Sequence, residues 1–199
     1  MTEEKPRIQK ASPVRAHEIG LPPLVRLQWR KMLRLMVTYD GDTVLDAQCM
    51  EGTMLRWLER MVPGVKLCGA CFTPPQLRHA RQLVRQADIM FADERDFPWI
   101  SESMDVAFIG RGFHDLENPT ATLREMHRLL RKGGQMLIAG VYLPQPLRAL
   151  YNYIMFGDRT LPRVRSKAEM AALLRTAGFE QIHIARVGLI GCVATGLKK

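Results

Sequence analysis

Thr43-Val44-Leu45-Asp46-Ala47-Gln48-Cys49-Met50-Glu51-Gly52 is the stretch from which the fold of this 199-residue chain can be read. An apolar run enters an acidic residue, passes through a short turn and reaches a glycine. The pattern predicts a buried strand over 43–47 and a helix over 52–62. Met54, Leu55, Leu58, Met61 and Val62 mark one face of that helix, and Pro63-Gly64 stops it.

Working outward, the same unit recurs. Strands are predicted over 65–71, 89–92, 105–110, 135–140, 180–187 and 191–197. Between them lie helices with start and stop signals. Thr73-Pro74-Pro75 and Asn118-Pro119 each pair a capping side chain with proline in the first turn. Ser166 with Glu169 forms a capping-box pattern, and Gly178 closes that helix. Gly133-Gly134 is read as the stop of the helix through Leu123, Met126 and Leu130. Strands alternating with helices predict a doubly wound α/β sheet. The last two strands are separated only by residues 188–190, a link that permits only antiparallel pairing. The expectation is a Rossmann-like, seven-stranded sheet with six parallel strands and one antiparallel strand.

Composition sets outer limits. The chain is 47% hydrophobic, enough for one domain with a substantial core, and no apolar run of membrane-spanning length occurs. Residues 1–14 are charged, contain Pro6 and Pro13, and read as a disordered lead without the apolar core of a signal peptide. A cytoplasmic location and a single domain over 15–199 are expected. Within it, the amphipathic segment 15–39 is read as a helical cap. The net charge of +9 is spread along the chain. Such a surface suits an anionic membrane or acidic partner, or simply solvation. No nucleic-acid-binding signature is present, so that partner class is not expected. Cys68 and Cys71 have the spacing of redox and metal motifs, but no second pair follows. They are read as packing residues, and no metal site is expected.

Several further blocks carry a resemblance. Leu67-Cys68-Gly69-Ala70-Cys71-Phe72-Thr73-Pro74, Ala92-Asp93-Glu94-Arg95-Asp96-Phe97-Pro98-Trp99 and Ser103-Met104-Asp105-Val106 occur in that order. Leu123-Arg124-Glu125-Met126-His127-Arg128-Leu129-Leu130-Arg131-Lys132-Gly133-Gly134 and Ala177-Gly178-Phe179 follow. Together with 43–52 they resemble the class I S-adenosylmethionine-dependent methyltransferases, of the type that methylates ubiquinone and menaquinone precursors. The resemblance covers about residues 38 to 197.

It implies a cofactor site built from Asp46, Gln48, Met50, Gly52, Cys71, Phe72, Asp93 and Glu94. In the family, glycines let the first turn approach S-adenosylmethionine. A carboxylate ending the second strand holds the ribose diol, and an acid after the third strand meets the adenine. Here Gln48 and Met50 replace two glycines, and Cys71 replaces the ribose carboxylate, whereas Asp93 is retained. A thiol is a weak acceptor, and non-glycine residues resist positive φ. Two or three lost contacts of roughly 1–3 kcal/mol each weaken binding about 100-fold or more. His114-Asp115, after the fourth strand, is the candidate catalytic pair, with a structural histidine as the alternative. Residues 141–165 are read as a substrate cap in which Tyr151, Tyr153 and Phe156 meet the acceptor. Two functions follow: methylation of a small, partly apolar acceptor, or a degenerate, non-catalytic relative that binds a ligand or partner protein.

Overall fold

The computed structural model describes residues 22–156 and 164–199. The lead at 1–14, the first part of the helical cap, and Arg159 and Arg163 of the substrate cap lie outside them. The elements in chain order are α1 (Pro23–Leu35), β1 (Thr43–Asp46), α2 (Thr53–Met61), β2 (Lys66–Cys71), α3 (Pro74–Leu83), β3 (Asp88–Phe91) and β4 (Met104–Ile109). A short 3-10 turn (Phe113–Asp115) precedes α4 (Pro119–Leu129), β5 (Leu130–Val141), α5 (Leu147–Phe156), α6 (Lys167–Thr176), β6 (Glu180–Val187) and β7 (Gly191–Leu197).

All seven strands join one sheet in the order β3-β2-β1-β4-β5-β7-β6. β7 is antiparallel to both of its neighbours and the remaining pairings are parallel. The expected six-plus-one sheet is therefore present. Chain order reverses between β1 and β4, which places a topological switch point at the carboxyl ends of those strands.

Each face of the sheet buries its own apolar layer. One holds Val44, Val106, Phe108 and Leu137 under α1 and α2, with Met32, Leu55 and Leu58. The other holds Leu45, Ala107, Met136 and Ile138 under α4 and α6, with Leu123, Met126 and Leu174. Side chains along a strand alternate in direction, so neighbours such as Val44 and Leu45 serve opposite layers. Helix α1 is fixed to the sheet by polar contacts. Gln28 Nε2 donates to Gly140 O at 2.6 Å, and Gln135 bonds to Leu35 O and Val37 N. Leu27, an apolar residue of this amphipathic helix, is exposed.

The capping signals hold. Thr73, Asn118 and Ser166 each accept from a backbone N–H three residues on, and Ser166 with Glu169 completes the reciprocal box. The double glycine is a correction. α4 ends at Leu129 and the chain turns extended at Leu130, so Gly133 and Gly134 lie inside β5. Gly133, at φ 78°, falls where the β4–β5 register slips between Met104 and Val106. A Cβ on Gly134 would come within 2.8 Å of Arg131 O, so both glycines serve a bulge, where positive φ and close backbone approach are needed.

Candidate functional site

The switch-point crevice lies over the carboxyl ends of β1 and β4. It is lined by Trp29, Asp46, Gln48, Cys49, Met50 and Glu51, with Gly110 and Arg111 opposite. Its free volume is about 30 Å³, against the roughly 300–1,000 Å³ of pockets that enclose a small molecule. A larger open groove of about 630 Å³ lies at the other end of the strands, beside Thr43, Pro63, Lys66 and Asp88. That end carries none of the site residues expected from the sequence.

The turn after β1 shows how the crevice is filled. Gln48 reaches across to the loop after β4. With its amide nitrogen facing that loop, it donates to Arg111 O at 3.2 Å and Gly112 O at 3.3 Å. Gly112 sits at φ 83°, and a Cβ there would come within 2.7 Å of the Gln48 amide. Met50 adopts φ 48°, the left-handed region that the family gives to glycine, so its side chain is held there against the backbone preference. Gly52, at φ 83°, has a different job. A Cβ there would lie 3.2 Å from Ala80 Cα, so this glycine lets α2 pack closely on α3. The glycine that serves packing is kept, and the two expected at the ligand are not.

Cys71 ends β2 and is buried. Its Sγ lies 2.9 Å from Cys49 Sγ and 3.4 Å from Met50 O. The Cys71 contact, reinforced by burial, pushes the Cys49 thiol well above its ordinary range. Cys68 points to the other apolar layer, so its spacing to Cys71 is a strand alternation rather than a shared site. Phe72 packs edge-on against Phe97 at 6.2 Å.

Asp46 is 2% exposed, and its carboxylate accepts only from Gln48 N–H, at 3.2 Å, among the contacts the structure shows. Burial, partly offset by that bond, raises its pKa to about 7. Asp93 accepts from Arg95 N–H within its own turn. Glu94 accepts from the N–H groups of Glu117 and Asn118, which fixes the entry to α4. Asp93, expected at the adenine, and Glu94, expected in the cofactor site, therefore both bond to backbone. His114 Nε2 lies 3.6 Å from Asp115 Oδ1 in the 3-10 turn, and the two side chains are 30% and 60% exposed. Tyr151 is half-buried on α5 and Tyr153 is exposed. The side chain of Phe156 lies outside the described residues.

Sequence reasoning did not include Trp29 in the site. Its indole donates to Gly110 O at 2.7 Å, its ring lies 5.9 Å from that of Trp57, and it seals the crevice from the α1 side. Its signal was a tryptophan on the amphipathic helix thought to cap this cleft.

The donor set fits S-adenosylmethionine poorly. No carboxylate stands at the end of β2, the thiol there is engaged by a second thiol, and the turn carries side chains where the backbone would meet the ligand.

Residues 45–138 match the methyltransferase domain family. Demethylmenaquinone methyltransferase of Listeria monocytogenes is 26% identical over 206 aligned residues, spanning 88% of this chain and 86% of the relative. Among solved structures, a SAM-dependent methyltransferase from Aquifex aeolicus superposes with a TM-score of 0.72 at 21% identity, covering 96% of this chain and all of that one. The 4+2 cyclase SpnF superposes with a TM-score of 0.69 at 19% identity over 87% of this chain and 80% of its own. Strand order, the run of sequence blocks and these likenesses agree: the chain has the class I methyltransferase fold, and residues 45–138 are similar to the methyltransferase domain family.

Proposed function

We propose that the protein is a family member that acts by binding a ligand or partner protein, its methyl-donor crevice having been closed by its own side chains. The observation that supports this is the set Gln48, Met50 and Cys71. All three depart from the family pattern, all three lie in one turn and the adjoining strand end, and their contacts satisfy one another or nearby backbone. A donor entering there would have to displace bonded protein groups, and the ribose would gain no carboxylate in return. The fold itself does not fix the chemistry. SpnF, which shares it, is described as a cyclase.

A second reading, methyl transfer to a small, partly apolar acceptor, is favoured by Asp46. A buried carboxylate held near neutrality is stabilised as an anion by a cationic ligand, and S-adenosylmethionine carries an ammonium and a sulfonium. In that reading Asp46 and Gly52 meet the donor. His114, oriented by Asp115, takes a proton from the acceptor, and Tyr151, Tyr153 and Phe156 contact its apolar part. The relatives named as demethylmenaquinone methyltransferases support it over most of their length.

Calorimetric titration of the purified protein with S-adenosylmethionine separates the two. Closure predicts no saturable heat below about 1 mM ligand, a binding free energy weaker than about 4 kcal/mol. Micromolar saturable binding establishes the second reading instead.

A further inference from the structure

Helix α5 is built inside out. Arg148 and Asn152, four residues apart and so on one side of the helix, carry its bonds to the protein. Arg148 reaches Glu169 of α6 at 3.3 Å, with its side chain 14% exposed. Asn152 both donates to Val164 O and accepts from Val164 N–H, each at 3.0 Å. The other side carries Leu147, Leu150 and Ile154, spaced i, i+3 and i+7, with Tyr153 beside them. These four are 55%, 55%, 67% and 71% exposed. A surface helix of a globular protein normally turns its apolar stripe inward and its charges outward. Here the arrangement is reversed, and a periodic apolar face on the outside marks an interaction site more strongly than scattered exposed leucines do.

A second apolar tip lies at the same end of the sheet. Leu189 and Ile190, on the turn between β6 and β7, are 83% and 45% exposed. Tyr142 N–H donates to Ile190 O at 2.9 Å, which ties this turn to the end of β5. Only residues 143–146 separate Tyr142 from α5. Cations gather at the junction: Lys167 Nζ and the Arg186 guanidinium lie 5.5 and 5.2 Å from the centre of the Tyr142 ring.

We propose that α5 and the β6–β7 turn form a docking face for an anionic lipid bilayer. The helix lies in the plane of the interface with Leu147, Leu150, Tyr153 and Ile154 among the acyl chains. Lys167 and Arg186 meet the headgroups. The ten residues of α5 are too few to cross a bilayer, and no helix among the described residues is long and apolar enough to do so. The charge pattern selects lipid over a protein partner. Two apolar tips on separate elements, with cations between them and a net charge of +9 behind them, complement a negative, fluid surface that needs no shape match. None of these residues lines the donor crevice, so the proposal stands whether or not that crevice binds a cofactor; Tyr153 is shared with the acceptor contacts of the second reading.

Co-sedimentation of the full chain with phosphatidylcholine vesicles, with and without phosphatidylglycerol, tests it. The protein is expected to pellet with the phosphatidylglycerol-containing vesicles alone and to be released as salt is raised. The double variant Leu150→Ser/Ile154→Ser is expected to lower partitioning at least about tenfold, since two apolar side chains no longer enter the acyl region. Leu189→Ser/Ile190→Ser, outside the helix, is expected to lower it in the same direction, which guards against simple unfolding of α5. Ile100→Ser, a remote residue 79% exposed, should change nothing. No binding to either vesicle, binding indifferent to phosphatidylglycerol, or binding untouched by both double variants would overturn the proposal. So would self-association in sedimentation velocity that the same double variants abolish, which would assign the face to a second copy of the chain.

Discussion

The turn after β1 and the α4–β5 block are both family motifs, and they have fared differently. In the α4 block Glu125 and Arg128 stand where the family pattern has them, and both hold structure. Arg128 donates to Phe97 O at 3.1 Å and Trp99 O at 3.0 Å while pairing with Glu125 at 2.7 Å, and Glu125 in turn accepts from Phe97 N–H. The segment before β4 is thus clamped to α4. In the β1 turn, Gly52, which packs helices together, remains, while the residues expected to face a ligand have changed. Constraints on folding and constraints on a ligand act on different atoms of neighbouring residues. Here the first set stands at Glu125, Arg128 and Gly52, while Gln48, Met50 and Cys71 depart from the family pattern and Asp93 keeps it.

The largest expected effect is on the crevice side. Asp46 is buried with a folded pKa near 7, against about 3.9 when unfolded. The folded state then holds a proton that the unfolded state has released. Its contribution to stability therefore falls as pH rises from about 4 to 7 and levels off above that. Three pH units correspond to roughly 4 kcal/mol at most. Asp46→Asn should match the parent near pH 4 and exceed its stability at pH 8, as read by urea unfolding at both values. A parent that gains on Asp46→Asn as pH rises would show Asp46 to be a stabilised carboxylate, which would break the comparison.

Next comes the scaffold side. Arg128→Ala strands the Glu125 carboxylate and two backbone carbonyls, and is expected to cost about 1–3 kcal/mol. The part due to the ion pair is reduced by solvent, because the Arg128 side chain is 34% exposed. Burial opposes ionisation of Glu125, but the Arg128 bond and the Phe97 N–H outweigh it and hold its pKa below the usual range. That contribution is present at neutral pH and is lost as pH falls through the lowered pKa. The parent's advantage over Arg128→Ala should therefore shrink in acid, and its sign is opposite to the Asp46 case, where the variant is the more stable protein at high pH.

The smallest effect separates the two kinds of glycine position. Met50→Gly relieves left-handed strain but loosens the unfolded chain, and should leave stability within about 1 kcal/mol of the parent. Gly52→Ala places a methyl 3.2 Å from Ala80 at φ 83° and should destabilise by more than Met50→Gly changes it, as thermal melts would show. Equal effects would mean that the two positions carry the same constraint.

Much of the fold was legible because its signals are local. Capping side chains, prolines at helix starts and apolar runs bounded by turns report on a few adjacent residues, and Ser166 with Glu169 reads the same in sequence and structure. Gly133-Gly134 was misread because positive φ suits a helix stop and a bulge alike, and only pairing with β4 distinguishes them. The exposed face of α5 was missed because apolar spacing says nothing about which side faces the protein; Arg148 and Asn152 decide that through Glu169 and Val164. In the crevice, the departures at Gln48, Met50 and Cys71 were visible in the sequence. The approach of Cys71 to Cys49, at 2.9 Å, was legible too, since the two follow or end the neighbouring strands β1 and β2; the reach of Gln48 to Arg111 O and Gly112 O was not, because it depends on where the loop after β4 sits.

The central claim is that three side chains close the donor crevice, and paired calorimetry tests it most directly. S-adenosylmethionine is titrated into the native chain and into a Gln48→Gly/Met50→Gly/Cys71→Asp variant whose folding is checked by its melt. Restored glycines free space and backbone, and a carboxylate regains charge-assisted bonds to a diol. The account predicts no saturable binding by the native chain and a gain of at least about tenfold, near 1.4 kcal/mol, in the variant. Micromolar binding by the native chain that weakens in the variant would contradict it, and would show a cofactor site rebuilt around the residues now in place.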